Sequence, residues 1–333
     1  MHVLVTGANG FIGSNLTELL VREGHSVKAM VLPGTDLSNL ARLNCEVVYA
    51  DITKRETLEG ILKGVEVVFH LAAVPSLAWG SHVFKVNYNG TENLLQEAIK
   101  SKVRRLVFMS SLVVHGFANY RNADESTPLL KPGWFTRPYI ASKIKCEELL
   151  AAYRNKIETV IIRPGFNIHG PNDRMTSGEM LGRLEQGRLM GYVNKGDRQM
   201  GYVYAENLAF GLLCAGRHIN AAGHTYIIAD TEPPYLEFKN LLEQFSKELN
   251  IQPKLTAVPS LAFMPVGLLM DAIHFLFFRK KMPLISAYIV NTSTHHLHFS
   301  PAKAVEEIGY RQIVSFEEGI RRTVAWYRSS KNK

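Results

Sequence analysis

A strand-forming run, residues 3–5, passes through Thr6-Gly7-Ala8-Asn9-Gly10-Phe11-Ile12-Gly13 into an apolar-periodic helical stretch, 11–23. No other feature constrains the fold of this chain as tightly. Gly7 permits a tight turn, Gly10 lets the backbone approach a pyrophosphate, and Gly13 lets the helix pack close to the strand. The N–H groups and dipole at the helix start then favour an anion. Glycines also mark ordinary turns, but a strand before, a helix behind and a repeating strand–helix rhythm point to a dinucleotide. The expected contacts are Gly7, Asn9, Gly10, Phe11, Ile12 and Gly13.

The rhythm continues through the first half. Strand candidates lie at 2–5, 26–31, 46–49, 65–71, 106–110 and 159–163, with helical stretches at 11–23, 83–101 and 139–155. Most of the strands are continuous apolar runs, as expected when both faces of a sheet are covered. Right-handed crossovers at this spacing give an α/β fold with a doubly wound parallel sheet of Rossmann type. After Pro164 the rhythm breaks into a Gly-, Arg- and Asn-rich stretch, 165–201. Residues 1–170, rejoined by 200–216, are expected to form the dinucleotide-binding domain. Residues 171–199 and 217–333 are expected to form a smaller mixed α/β substrate lobe, tightly packed against it across a cleft.

Composition narrows the alternatives. With 333 residues, 46% of them apolar and 20% charged, the chain can bury a large core, and global disorder is excluded. Cys45, Cys146 and Cys214 are scattered without a CxxC pair, so neither a disulfide framework nor a cysteine zinc site is expected, and a reducing, cytoplasmic setting fits. Met1 leads straight into the first strand, so no cleaved leader is expected. The net charge of +8 is dispersed without an aromatic-interleaved patch, which argues against nucleic acid. His295-His296-Leu297-His298 has no acid or cysteine at ligand spacing and alternates like a strand, so no metal site is expected.

Asp51 follows the run 47–50 at the edge where an adenine ring would lie; in isolation it reads as a turn or cap residue. His70-Leu71-Ala72-Ala73 ends another strand in small residues that leave room for a cofactor. The second strand ends in Ala29-Met30-Val31-Leu32-Pro33-Gly34, with neither an acid for ribose hydroxyls nor an arginine for a ribose phosphate. The cofactor is therefore read as NAD(P), tipped toward NAD by the missing phosphate clamp.

Tyr139-Ile140-Ala141-Ser142-Lys143 puts Tyr139 and Lys143 on one helix face. The ammonium is expected to lower the phenol pKa so that the tyrosine exchanges a proton with an alcohol or carbonyl while hydride moves. Ser110-Ser111 follows the strand 106–109 at the same sheet edge, where a hydroxyl can hold the reacting oxygen. Arg163-Pro164-Gly165-Phe166-Asn167 ends the next strand beside the expected nicotinamide.

Together these motifs resemble an extended short-chain dehydrogenase/reductase across nearly the whole length. The resemblance implies Ser111, Tyr139 and Lys143 as the catalytic set. It adds cofactor contacts at Asp51, Ile52, Leu71, Ala72, Ala73, Tyr139, Lys143, Pro164, Gly165 and Asn167, and a family asparagine at Asn87. Nucleotide-sugar epimerases and dehydratases carry Arg-Asp-Phe where this chain has Met200-Gly201-Tyr202, although Arg198 lies near. Tyr202-Val203-Tyr204-Ala205-Glu206-Asn207 instead resembles the 3β-hydroxysteroid dehydrogenase branch, which includes sterol C4-carboxylate decarboxylating enzymes and is similar to the dihydroflavonol reductases. The resemblance implies an NAD(P)-dependent oxidoreductase interconverting a secondary alcohol and a ketone on an apolar, sterol-like substrate. A carboxylate β to the new ketone would be lost as CO₂. The rivals are an NAD-dependent nucleotide-sugar epimerase or dehydratase and a non-catalytic dinucleotide sensor. A homodimer through helices of the 83–101 and 139–155 type is also implied.

An apolar stretch beginning at Leu261 and ending at Phe278 precedes Arg279-Lys280-Lys281. Three readings stand open: a buried lobe helix, an interfacial helix or lid in peripheral contact with a membrane, and a bilayer span. Trp79, Trp134, Phe135, Met175 and Met180 are candidate linings of an apolar substrate site.

Overall fold

The structure, a computed structural model, describes residues 1–230, 237–283 and 285–331. Its centre is a sheet of seven strands: β1 (His2–Thr6), β2 (Ser26–Val31), β3 (Glu46–Tyr49), β4 (Val67–His70), β5 (Arg105–Met109), β6 (Glu158–Pro164) and β7 (Thr225–Ile228). They run in the order β7-β6-β5-β4-β1-β2-β3, all parallel. The order reverses between β1 and β4, and the loops after their carboxyl ends form the crevice in which such sheets bind ligands.

The continuous apolar runs sort by alternation. Val3, Val5, Phe69, Val107 and Val160 pack with α1 (Phe11–Arg22) on one face. Leu4, Val68, Leu106, Phe108 and Ile161 pack on the other with α2 (Gly90–Lys100) and α3 (Pro138–Tyr153). Both faces are covered by apolar side chains, which is why these strands show no polar alternation.

Several boundaries differ from the sequence reading. β4 stops at His70 because the Thr6 hydroxyl accepts the next two backbone N–H groups, Leu71 at 3.1 Å and Ala72 at 3.0 Å. The helix expected over 83–101 is a short turn, Ser81–Phe84, then a widened π-turn, Lys85–Asn89, then α2. The wide turn carries Asn87, which accepts from Val74 N at 2.8 Å and donates to Ser142 Oγ at 3.1 Å, tying the β4 loop to α3.

The unit 200–216 divides. Its helix, α4 (Ala205–Arg217), packs on the sheet, but the strand Tyr202–Tyr204 pairs only with Asn167–His169. The last sheet strand is β7, inside the span 217–333 expected for the lobe. That boundary is corrected: Tyr226 and Ile228 join the sheet core, as do Ala304, Ile308 and Tyr310 from the same span.

The C-terminal lobe is mixed α/β. Helices Ser177–Glu185, Phe238–Leu249 and Phe316–Lys331 enclose a second core of Leu181, Met200, Tyr202, Phe245, Leu297 and Val324. Two more helices, α5 (Ser260–Phe277) and α6 (Ala287–Thr294), lie against each other. Only Gly267 of α5 is buried, so the buried-helix reading of 261–278 is overturned. The three cysteines are free.

Candidate active site

Pro138, at the first helical position, starts α3, and the residues four apart that follow point inward. They are Tyr139, Lys143 and Glu147. Lys143 is only 3% exposed. Its Nζ donates to the Met109 carbonyl at 2.7 Å and lies 4.6 Å over the Phe108 ring and 5.9 Å from the Tyr139 ring centre. Burial lowers its pKa to about 8, against the opposing pull of Cys146 and Glu147.

Ser111, directly after Ser110 at the end of β5, caps the turn Leu112–His115 by accepting from Val113 N at 3.4 Å. Its hydroxyl pulls the Tyr139 phenol pKa down. The structure therefore gathers Ser111, Tyr139 and Lys143 at one point. The expected electrostatics differ, however. Burial pushes the Tyr139 phenol up to about 12, and Ser111 is the group that pulls it down. The Lys143 ammonium is turned to the Met109 carbonyl, so its charge does not offset the desolvation of the phenolate.

Behind the three residues sits a buried polar network. Glu147 accepts from Ser110 Oγ at 2.5 Å, and from Arg163 Nε at 3.1 Å and Nη2 at 2.6 Å. Arg163 Nη1 donates to His115 Nε2 at 3.2 Å. Burial, then Arg163, lowers His115 to about 4, which keeps it a neutral acceptor. The network locks α3 to the ends of β5 and β6.

The glycine loop fits a dinucleotide. Gly7 has φ +67°, and a Cβ there would lie 3.0 Å from Ala72 Cα. A Cβ on Gly13 would lie 2.1 Å from the Gly7 carbonyl oxygen, and one on Gly10 3.2 Å from the same atom. No side chain caps α1 at Gly10, which leaves the first-turn N–H groups of Phe11 and Ile12 for an anion. Ala72 and Ala73 follow β4 beside this loop, and Leu71 and Ala72 are pinned by Thr6. His70, lowered to about 3 by burial and then Lys143, rivets Thr6 (2.8 Å) to Thr91 (2.9 Å).

The other expected contacts lie at the same sheet edge. Asp51, just past β3, accepts from Thr53 N and Oγ1 at 2.9 and 2.7 Å, so its Oδ1 closes a local turn and caps no helix. Ile52 is buried against Gly90, where a Cβ would lie 2.5 Å from Ile52 Cδ1. Pro164 ends β6. Gly165 allows the backbone of Gly201 to pass, since its Cβ would lie 2.7 Å from the Gly201 carbonyl oxygen. Asn167 Nδ2 donates to Met200 Sδ at 3.8 Å.

The sequence reading missed Asp36. Asn9 Nδ2 donates to its carbonyl at 2.9 Å, which holds it beside the glycine loop. Its carboxylate accepts from Ser38 and lies 3.5 Å from Arg174 Nη1; the Ser38 bonds hold it below the usual carboxylate range. An acid about 20 residues past the glycines was the available signal. It stands in the loop after β2 rather than at the strand end where it was sought.

Tyr139 packs in an apolar cluster with Val113, Val114, Ile140, Ile144, Phe166 and Tyr288. Of the aromatic and methionine candidates, Trp79 is buried beside Arg137, Met180 packs in the second core, and Trp134, Phe135 and Met175 are exposed. His296 Nε2 accepts from Arg121 at 2.7 Å and Arg198 at 2.9 Å, and His298 Nδ1 accepts from Asn122 N at 3.0 Å. Among the described residues, no group of three His, Cys, Asp or Glu side chains is placed to hold a metal.

Comparison with known proteins gives the family. The model of the NAD dependent epimerase/dehydratase family matches residues 3–229. The chain is 29% identical to 3beta-hydroxysteroid-dehydrogenase/decarboxylase isoform 1 of Arabidopsis thaliana, over 96% of this chain and 78% of the relative. It is also 29% identical to a 3 beta-hydroxysteroid dehydrogenase/Delta 5-->4-isomerase of Mycobacterium tuberculosis, over 98% and 90%. The crystal structure of the Thermus thermophilus UDP-glucose 4-epimerase with NAD superposes with a TM-score of 0.77 at 24% identity, covering 99% of this chain and 100% of that one, a likeness of fold.

Proposed function

We propose, on the premise that the chain belongs to the NAD dependent epimerase/dehydratase family, that it is an NAD-dependent oxidoreductase interconverting a secondary alcohol and a ketone on an apolar, sterol-like substrate. The observation that carries this reading is the packing of the Tyr139 side chain among Val113, Ile140, Phe166 and Tyr288. The two relatives named as 3β-hydroxysteroid dehydrogenases support it.

In the oxidative direction Tyr139 Oη takes the hydroxyl proton while Ser111 Oγ holds the reacting oxygen. Lys143, on the same helix face as Tyr139, would hold the nicotinamide ribose. NAD, when bound, supplies the hydride acceptor. The glycine loop would take the pyrophosphate, and Asp36 would accept from the ribose hydroxyls, which favours NAD over a phosphorylated ribose. With its phenol held near 12, Tyr139 is protonated at neutral pH and ready to donate to a carbonyl. Oxidation gains as the solution becomes alkaline. A substrate with a carboxylate β to the new ketone would then lose CO₂ through an enol, the step in the Arabidopsis relative's name.

The test is nicotinamide absorbance with a 3β-hydroxysterol, NAD and NADP offered separately, on the wild type and Tyr139→Phe. Sterol-dependent reduction of NAD that Tyr139→Phe loses supports the reading. Tightly retained NAD with no net reduction, together with interconversion of a sugar nucleotide, would replace it with an epimerase. A Tyr139→Phe variant that binds NAD and keeps full biological activity would replace it with a sensor.

A further inference from the structure

Helix α5 is inside-out. Its solvent face carries Leu261 (91% exposed), Leu268, Leu269, Leu276 and Phe277 (73%), and no charged side chain. Its one acidic group sits on the packed side. Asp271 accepts from Arg137 Nη2 at 2.7 Å and from Ala287 N at 3.1 Å, and His274 Nδ1 donates to the Met270 carbonyl at 2.9 Å. An ordinary surface helix shows the reverse pattern. Trp134 (83% exposed) and Phe135 extend the apolar surface, with Phe135 5.7 Å from the Phe275 ring. Soluble chains rarely leave a continuous apolar patch of this extent uncovered.

We propose that this face docks on an anionic lipid bilayer, with α5 lying in the plane of the interface. Charge complementarity selects this partner. Arg279, Lys280 and Lys281 follow the helix directly and are exposed at its end. Arg279 folds back, with Nε donating to the Phe275 carbonyl at 2.7 Å and the guanidinium 4.6 Å from the Phe275 ring centre, so the cations border the apolar face. That is the arrangement of an interfacial anchor. A second copy seated on this face would meet the repulsion of these three cations.

The packing opposes a transmembrane orientation. A Cβ on Gly267 would lie 2.8 Å from Ala287 N, so α5 is seated tightly on the start of α6. Crossing a bilayer would also strip Asp271 from Arg137 and leave a carboxylate in hydrocarbon. In plane, by contrast, every polar contact survives.

The docking face adjoins the catalytic residues. Phe275 of α5 meets Trp79 edge-on at 5.1 Å, Arg137 lies 4.9 Å from the Trp79 ring centre, and Tyr139 follows Arg137 by two residues. Docking therefore brings the start of α3, which carries Tyr139, close to the lipid surface. The inference does not depend on which substrate is used.

The test is flotation of the full chain with vesicles of phosphatidylcholine alone and of phosphatidylcholine with about a third phosphatidylserine. No substrate is present, so the result is separate from the reading of the reaction. The wild type is expected to float with the anionic vesicles and to be released by salt. Leu268→Asp/Leu269→Asp and Lys280→Ala/Lys281→Ala are each expected to weaken binding about tenfold or more. An unchanged NAD-induced rise in melting temperature shows that both variants are folded. The proposal is overturned if the wild type stays in the aqueous layer with both vesicles, or if the folded Asp variant floats as well as the wild type. It is equally overturned if the face instead drives a concentration-dependent dimer that the Asp variant abolishes.

Discussion

Lys143→Met is expected to make the protein more stable while stopping its reaction. The Lys143 pKa falls from the ordinary 10.5 to about 8 because the ammonium is desolvated. That difference is worth about 3 kcal/mol near neutral pH, where folded and unfolded chains both carry the proton and the full burial penalty applies. Between about pH 8 and 10.5 the unfolded chain holds a proton that the folded chain has released, so stability rises with pH through this window. Methionine keeps the length and removes the charge. It also loses the bond to the Met109 carbonyl, at a cost of about 1 kcal/mol, and the contact over Phe108, about another 1 kcal/mol. The net expectation is a gain of about 1 kcal/mol near neutral pH. Urea unfolding of both proteins without NAD, near neutrality and near pH 10, measures it. The wild type should recover about 2 kcal/mol relative to the variant at the higher pH, since only it carries the titrating lysine. A variant less stable than wild type at neutrality, with a gap that does not change with pH, would refute the reasoning.

Three further outcomes are expected. Gly13→Ala should lose NAD binding with reduced stability, because its Cβ would stand 2.1 Å from the Gly7 carbonyl oxygen; titration of NAD by fluorescence checks it, and unaltered affinity would count against the cradle. Glu147→Gln should cost about 3–5 kcal/mol by leaving the buried Arg163 guanidinium without its countercharge, which chemical denaturation reads directly. The chain is expected to dimerise through α2 and α3, so sedimentation should give twice the single-chain mass, and Lys145→Glu/Glu148→Lys, at exposed positions of α3, should shift that equilibrium while leaving NAD affinity unchanged.

What was legible in the sequence was legible for local reasons. The β1–glycine loop–α1 unit is contiguous, and its strand and helix periods differ sharply, so a reading by pattern finds it. Tyr139 and Lys143 meet because four residues of helix make them neighbours. The edge strand β7 was assigned to the wrong lobe because Thr225–Ile228 is four residues long, and its partner β6 lies far back in the chain. Asp36 was missed because a tertiary contact from Asn9, not strand geometry, carries it to the loop. The direction of the Tyr139 pKa was misjudged because spacing reports a neighbouring charge but not the depth of burial, nor that Met109 would claim the ammonium.

The outward apolar face of α5 has a kinetic consequence. An enzyme resting on a bilayer encounters a lipid-dissolved substrate as a mole fraction spread over two dimensions, not as a molarity. At fixed enzyme and substrate, adding plain vesicle lipid would slow turnover, whereas adding buffer would leave it nearly unchanged. Saturation would then be reached by enriching the membrane, and the thinning of substrate among its lipid neighbours would set the rate.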